Sequence, residues 1–281
     1  NTNSSSWNSI LSACVVRNRT GEALKFLTEM HGNGVLMDEF TFSSILSGIA
    51  CISALRWGMK IHCCTIKHGL VASTIIGSAL VDMYSKCGQG EEAEAVFHSV
   101  PRKNIVTWNA FIYGLAHNGE SAKVVQYFEE LKKESGLKPD NVTFINVLAT
   151  CSHNEIPLEK AYGYFKSMVD DYGIEPKPEH VTSVIRLMGH HRELCKAVTM
   201  IDELELGSCA VVWKALLGAC GMCGDSETAK LAMARFLELE KIDEFGYVTL
   251  SNLNKGCENW EDATAVWDVM QDKGVKKGAG F

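Results

Sequence analysis

The arrangement in this sequence that comes nearest to enzyme chemistry is His191-Arg192-Glu193, followed by Cys220-Gly221-Met222-Cys223. A histidine and two thiolates can hold zinc, and a nearby glutamate can move protons to and from a water that the metal activates. That is the outline of a hydrolytic deaminase centre. No other catalytic pattern has supporting context: there is no Gly-rich phosphate loop, and no Ser-His-Asp or Cys-His arrangement. Whether the zinc pattern is a site depends on the elements that would have to position it.

Those elements repeat. Trp7-Asn8-Ser9-Ile10-Leu11 returns in outline as Trp108-Asn109-Ala110-Phe111-Ile112, an offset of 101 residues. Thr41-Phe42-Ser43-Ser44-Ile45-Leu46 returns as Thr143-Phe144-Ile145-Asn146-Val147-Leu148, an offset of 102. The unit divides again, because Trp7, Phe42, Gly77, Trp108, Phe144, Val181, Trp213 and Tyr247 share one slot at gaps of 31 to 37 residues. About eight units of that length mean a helical repeat array.

Each unit reads as two short helices. Trp108, Phe111, Ile112 and Leu115 recur at helical spacing, His117-Asn118-Gly119 interrupts, and Val124, Val125, Phe128 and Leu131 resume the pattern. Glycines at 21, 88 or 90, 119 and 224 suit the turns between helices, and all five prolines fall where helices should stop or start. No such hairpin buries its apolar face alone, so neighbours must stack. The expected fold is all-α, a right-handed superhelical solenoid of tandem helix-turn-helix repeats.

On that scaffold the zinc pattern loses its context. Ala219, not proline, precedes the first cysteine. His191 falls in a turn of one repeat, while Cys220 falls in the first helix of the next and Cys223 in its turn. No strand–helix alternation surrounds them. The match is read as a chance overlay, and the chain as a non-enzyme with no metal and no cofactor.

Composition agrees with a packed helical protein. Hydrophobic residues make up 46% and charged residues 22% of 281, and no apolar run approaches the roughly 18 uncharged residues of a membrane helix. Eleven scattered cysteines, an odd number, point to free thiols in a reducing compartment. Cys63-Cys64 reads as helix packing, and Glu91-Glu92-Ala93-Glu94 as a solvated helix face. The formal charge of −7 and pI of about 5.7 argue against a grip on nucleic acid through bulk charge. Asn1–Ser6 is polar and holds no targeting peptide.

The details of the repeats resemble the pentatricopeptide repeat, in the plant subclass whose units alternate between long, short and standard lengths. The resemblance is carried by Trp108-Asn109-Ala110 with the ending Leu137-Lys138-Pro139-Asp140, by Leu80-Val81-Asp82-Met83-Tyr84-Ser85-Lys86-Cys87-Gly88, and by Gly173-Ile174-Glu175-Pro176-Lys177-Pro178. Trp213-Lys214-Ala215-Leu216-Leu217-Gly218-Ala219-Cys220 and Tyr247-Val248-Thr249-Leu250-Ser251-Asn252-Leu253 resemble the E-type tail motifs of organellar C-to-U editing factors. The implied repeat array covers 1–209, with units 4–38, 39–73, 74–104, 105–140, 141–177 and 178–209. Tail repeats follow at 210–243 and 244–281.

The resemblance also implies where RNA is read: at the polar residue after the first-helix aromatic slot and at the last residue of the unit. Here those pairs are Asn8 with Asp38, Ser43 with Ser73, Ser78 with Asn104, Asn109 with Asp140, Ile145 with Lys177, and Thr182 with Cys209. It implies uracil for Asn–Asp and adenine for Ser–Asn, hence a footprint of U-n-A-U-n-n. An amide both donates and accepts whereas a carboxylate only accepts, so exchanging them changes which base edge is satisfied. Phe40, Ile75, Val106 and Val142, two residues before the aromatic slot, either wedge between bases or pack between repeats. Lys86, with His117, His153 and His190 in equivalent slots, is a candidate phosphate contact.

The implied function is site recognition for C-to-U editing in a mitochondrion or chloroplast, on single-stranded RNA. A deaminase-bearing partner or small editing cofactor protein would be recruited through 210–281 and the long repeats. A protein-interaction scaffold, or an RNA-binding factor for splicing or transcript stability, is the alternative.

Overall fold

The computed structural model describes residues 4–240 except 154 and 155, together with 247–249, 251, 252, 264, 266 and 268. Among the described residues there are fourteen α-helices and one 3-10 turn, with no strand. The all-α repeat fold expected from periodicity is the fold observed. The tail repeat expected at 244–281 lies outside the described residues, apart from those few positions.

The helices follow one another as hairpins: α1 (Ser4–Val16) with α2 (Thr20–Gly32), α3 (Glu39–Cys51) with α4 (Leu55–Lys67), α5 (Thr74–Lys86) with α6 (Gly90–Ser99), and α7 (Ile105–His117) with α8 (Ser121–Lys133). Then come α9 (Asn141–His153) and α10 (Leu158–Asp170), α11 (Pro178–His190) and α12 (Leu194–Glu203), a 3-10 turn at Leu206–Ser208, and α13 (Ala210–Cys223) with α14 (Ser226–Leu239). Two compact units result, Asn1–Val147 and Leu148–Phe281, divided inside α9.

In the first unit α1, α3, α5 and α7 pack side by side, and α2, α4 and α6 each lie against both their own first helix and the next one. The sequence enforces this through its apolar stripes. On α8, Val124, Tyr127, Phe128 and Leu131 are buried at i, i+3, i+4 and i+7. Tyr127 sets its ring edge-on to Phe111 at 4.8 Å, and Phe111 stacks on Phe97 of the preceding hairpin at 4.2 Å. Each fully buried large side chain of this kind contributes about 1.5–3 kcal/mol. Cohesion therefore comes from stacking neighbours rather than from any one hairpin.

Helix starts are written locally. Asp38, Ser73, Asn104 and Asp225 each accept the backbone N–H three residues on, at Thr41, Ile76, Thr107 and Thr228. The turns depart from the glycine pattern. Gly88, Gly119 and Gly224 do adopt left-handed backbone, but the corresponding residues elsewhere are Asn18, Ser53 and Arg192. Gly21 lies in the first turn of α2 and Gly90 opens α6. Asn tolerates left-handed backbone better than most residues, and Ser53 is tied down by donating to the Lys86 carbonyl at 3.1 Å.

In the second unit α11 packs against α13, and α13 against α14. Glu205 is left-handed and leads into the 3-10 turn, whose Gly207 carbonyl accepts the Trp213 indole N–H at 2.8 Å.

Candidate functional site

Two polar clusters of the same design lie at hairpin boundaries. Asn8, in the second turn of α1, donates from Nδ2 to Asp38 Oδ1 at 3.0 Å. Asp38 caps α3, accepting the Thr41 N–H at 2.9 Å. The Thr41 hydroxyl in turn donates to Asn8 Oδ1 at 2.7 Å. Asn8 Nδ2 also reaches Asp38 Oδ2 at 3.3 Å, and the second cluster repeats the other three bonds: Asn109 Nδ2 to Asp140 Oδ1 at 2.9 Å, the Thr143 N–H to Asp140 Oδ1 at 2.9 Å, and the Thr143 hydroxyl to Asn109 Oδ1 at 2.6 Å. Burial alone would raise the Asp38 carboxyl. The N–H and hydroxyl of Thr41 and the Asn8 amide outweigh it and hold the group below its ordinary range, so it is ionised at neutral pH.

A third boundary varies the theme. Asn104 caps α7 through Oδ1, which accepts the Thr107 N–H at 2.9 Å and lies 3.0 Å from the Thr107 hydroxyl. Ser78 reaches that same hydroxyl at 2.7 Å, so Thr107 links Ser78 to Asn104.

Two further pairs, Ser43 with Ser73 and Thr182 with Cys209, are not drawn together in this way. Ser43 turns its hydroxyl back to the Phe40 carbonyl, while Ser73 donates to Glu39 at 2.5 Å. Thr182 donates back to the Glu179 carbonyl at 3.1 Å, and Cys209 caps α13 without a side-chain bond. Ile145 and Lys177 belong to different units, and Lys177 donates its backbone N–H to His180 Nδ1 at 3.0 Å.

Residues 2–51 and 103–153 match the PPR repeat family, and residues 78–105 match the PPR repeat. These segments are PPR repeats. A putative pentatricopeptide repeat-containing protein of Arabidopsis thaliana is 43% identical over 264 residues, covering 93% of this chain and 46% of the relative. A second Arabidopsis thaliana relative, named as mitochondrial, is 35% identical over 274 residues, covering 98% of this chain and 43% of the relative. The chain thus spans less than half the length of either. Among solved structures, the pentatricopeptide repeat protein PPR10 in complex with an 18-nt psaJ RNA element superposes with a TM-score of 0.79. PPR10 from maize superposes at 0.65. Both are 18% identical; the complex covers 98% of this chain and 41% of its own, the maize structure 97% and 40%.

In the PPR repeats of this chain, the apolar residues two before the aromatic slot are exposed: Phe40 by 59%, Ile75 by 40%, Val106 by 59% and Val142 by 47%. Each keeps a substantial part of its side chain open to solvent. Val211 occupies the equivalent place on α13 and is 57% exposed, a position that sequence reading passed over. Also passed over were Thr41, Thr107 and Thr143, although Phe-Thr-Phe, Val-Thr-Trp and Val-Thr-Phe at 40–42, 106–108 and 142–144 carry the signal.

Lys86 is already engaged. Its ammonium contacts Asp82 at 3.0 Å and lies 5.6 Å from the centre of the Tyr113 ring. Burial would lower its pKa, but Asp82 outweighs that and keeps it protonated. His117 stacks on Tyr113 at 5.9 Å, and His153 lies 3.2 Å from Arg186. His190 ends α11.

The zinc pattern is not assembled. Among the described residues no three His, Cys, Asp or Glu side chains are grouped to hold a metal. Cys220 is buried, and burial, with Asp225 and Cys223 adding, pushes its thiol up to about 12. Cys223, at the end of α13 rather than in the turn, donates to the Cys220 carbonyl at 3.7 Å.

Proposed function

We propose that the chain binds single-stranded RNA, reads one base per repeat at three of its boundaries, and is a site-recognition factor for C-to-U editing in mitochondria or chloroplasts. The observation that carries this reading is the repeated Asn–Asp–Thr cluster in a fold shared with PPR10, which has been solved with RNA. Single-stranded RNA offers unstacked bases, and helical-repeat proteins read them with two or three side chains each.

Helix capping gives the reading its chemistry. Asp38 and Asp140 use Oδ1 for the cap, so Oδ2 keeps a lone pair for an imino N–H such as N3–H of uracil, even at Asp38, where Asn8 Nδ2 lies 3.3 Å from it. Asn104 uses its one acceptor oxygen for the cap, so its NH2 group is left to donate to a ring nitrogen such as N1 of adenine. This supports U at the first unit, A at the third and U at the fourth, within the footprint U-n-A-U-n-n. The exposed Phe40, Ile75, Val106 and Val142 supply contact with base faces, where stacking is worth about 1–3 kcal/mol per base and needs no net positive charge.

The chain itself supplies recognition and no catalysis. Its tail, of which α13 and α14 are described, and its long repeats recruit a deaminase-bearing partner or small editing cofactor protein. The net charge of −7 favours a second reading as a protein-interaction scaffold.

The deciding experiment is binding to a short RNA carrying U-n-A-U-n-n against the same RNA with both uracils changed to adenine. Preference for the first, moving toward cytidine in an Asp38→Asn plus Asp140→Asn variant, supports base reading. Equal weak binding to both would replace it with the scaffold reading.

A further inference from the structure

We infer that the buried threonine at the third position of the following helix, Thr41, Thr107 or Thr143, is a positioning residue that sets which hydrogen-bonding face the preceding repeat shows to a base. The inference deepens the base-reading proposal above and rests on it.

Each of these threonines is 0% exposed. A hydroxyl so deeply buried has to be bonded, and it carries one proton. In both Asn–Asp clusters its shortest contact is the amide oxygen, at 2.7 and 2.6 Å, ahead of the carboxylate at 2.9 and 3.0 Å. The amide is therefore held at two points, its oxygen by threonine and its NH2 by aspartate. The opposite flip would set an amide oxygen against a carboxylate oxygen at 3.0 Å in the first cluster. With the plane held this way, the second N–H of Asn109 remains to donate to a ligand, while Asn8 Nδ2 also lies 3.3 Å from Asp38 Oδ2. At the Ser78–Asn104 boundary, Thr107 is itself the bridge between the two positions.

The chain contains its own controls. Where the third residue is apolar, at Ile76 and Val212, both buried, the preceding polar residue has no hydroxyl to meet. Ser43 and Thr182 bond back to carbonyls of their own helices, at 3.2 and 3.1 Å. Ser78 does the same to the Thr74 carbonyl at 2.8 Å, but it also meets the Thr107 hydroxyl, a contact Ser43 and Thr182 lack. Ser43 and Thr182 belong to the second and sixth units, whose bases are undefined in U-n-A-U-n-n. A repeat's reading is on this view settled by a residue of the next repeat.

The test uses the full chain with Thr41→Val plus Thr143→Val, and with Thr41→Ser plus Thr143→Ser. Valine is close in size, and Ile76 and Val212 show that this slot accepts an apolar side chain. Two readouts are taken: solvent exchange of the Asn8 and Asn109 side-chain amide protons in the free protein, and the affinity ratio for uracil over cytosine at each position. The valine pair is expected to lose slow amide exchange and to lower the uracil preference about fivefold per position, as for one lost hydrogen bond. The serine pair should keep both, and Ile76→Thr should create a base preference at the second position. Unchanged exchange and unchanged preference in the valine pair would overturn the inference. A wild-type chain without base preference would instead remove the base-reading proposal, and the amide exchange alone would then decide whether threonine orients the asparagine.

Discussion

The Asn109 amide donates to the Asp140 carboxylate at 2.9 Å across the join between two hairpins. Asp140 also accepts the Thr143 N–H with the same oxygen. One carboxylate oxygen thus closes a helix end and fixes the residue proposed to touch a base. Stability and recognition are coupled at that atom, and substitutions there should separate the two.

Asp140→Ala removes the cap oxygen and the partner of Asn109, and should cost about 1 kcal/mol or slightly more. Asp140→Asn keeps an oxygen for the Thr143 N–H, and should stay within about 0.5 kcal/mol of the parent. Equilibrium urea unfolding of the two variants measures the contrast. A similar loss in both would mean that the charge, and not the cap, is what stabilises this boundary.

Gly114 on α7 faces Ser85 on α5 so closely that an added Cβ would stand 2.0 Å from Ser85 Oγ and 2.4 Å from its Cβ. Ser85 is itself buried and cannot swing into solvent. Gly114→Ala should therefore lower stability by about 1–3 kcal/mol through overpacking. Adding Ser85→Gly should recover most of the loss, which a double-mutant cycle on thermal midpoints would reveal.

Glu94 accepts the Tyr127 hydroxyl at 2.6 Å and the Lys123 ammonium at 2.9 Å, and these hold its carboxyl below the ordinary 4.5. Asp38 is likewise held below its ordinary 3.8. A carboxyl whose folded pKa is depressed contributes stability that is fully present above its unfolded value and is lost as pH falls through the folded one. Stability should accordingly decline below about pH 4.5. Glu94→Gln should be less stable than the parent at pH 7 and should show a shallower decline below that point. Denaturant midpoints between about pH 3 and about pH 7 follow both slopes.

Cys220 should react slowly with iodoacetamide at about pH 8, because the thiolate is the nucleophile and burial suppresses it. Exposed Cys51, Cys63 and Cys195 should label first, as peptide mass spectrometry resolves. A chelator should leave the thermal midpoint unchanged; a fall would revive a metal at the Cys220–Cys223 pair.

Several features were legible in the sequence because they are local. Apolar residues at helical spacing, such as Val124, Phe128 and Leu131, specify a helix and its buried face without reference to the rest of the chain, although Tyr127 and not Val125 completes that face. Hairpins in the thirties of residues, whose faces cannot be buried alone, then require a stack. Asn8, Asp38, Asn109 and Asp140 were singled out by the resemblance of these units to the pentatricopeptide repeat.

Other features were decided only in three dimensions. Asn8 and Asp38 share a bond over 30 residues because α3 packs against α1, and no local pattern states that contact. Left-handed backbone at Asn18, Ser53 and Arg192 was hidden because tertiary contacts can impose it on residues other than glycine. Exposure of Phe40, Ile75, Val106 and Val142 was equally open, since an apolar residue beside a buried aromatic suits either face until the helix is rotated against its neighbours. Thr41, Thr107 and Thr143 stood in plain view in the sequence, but a threonine acquires a role only from the oxygen atoms that packing brings to it.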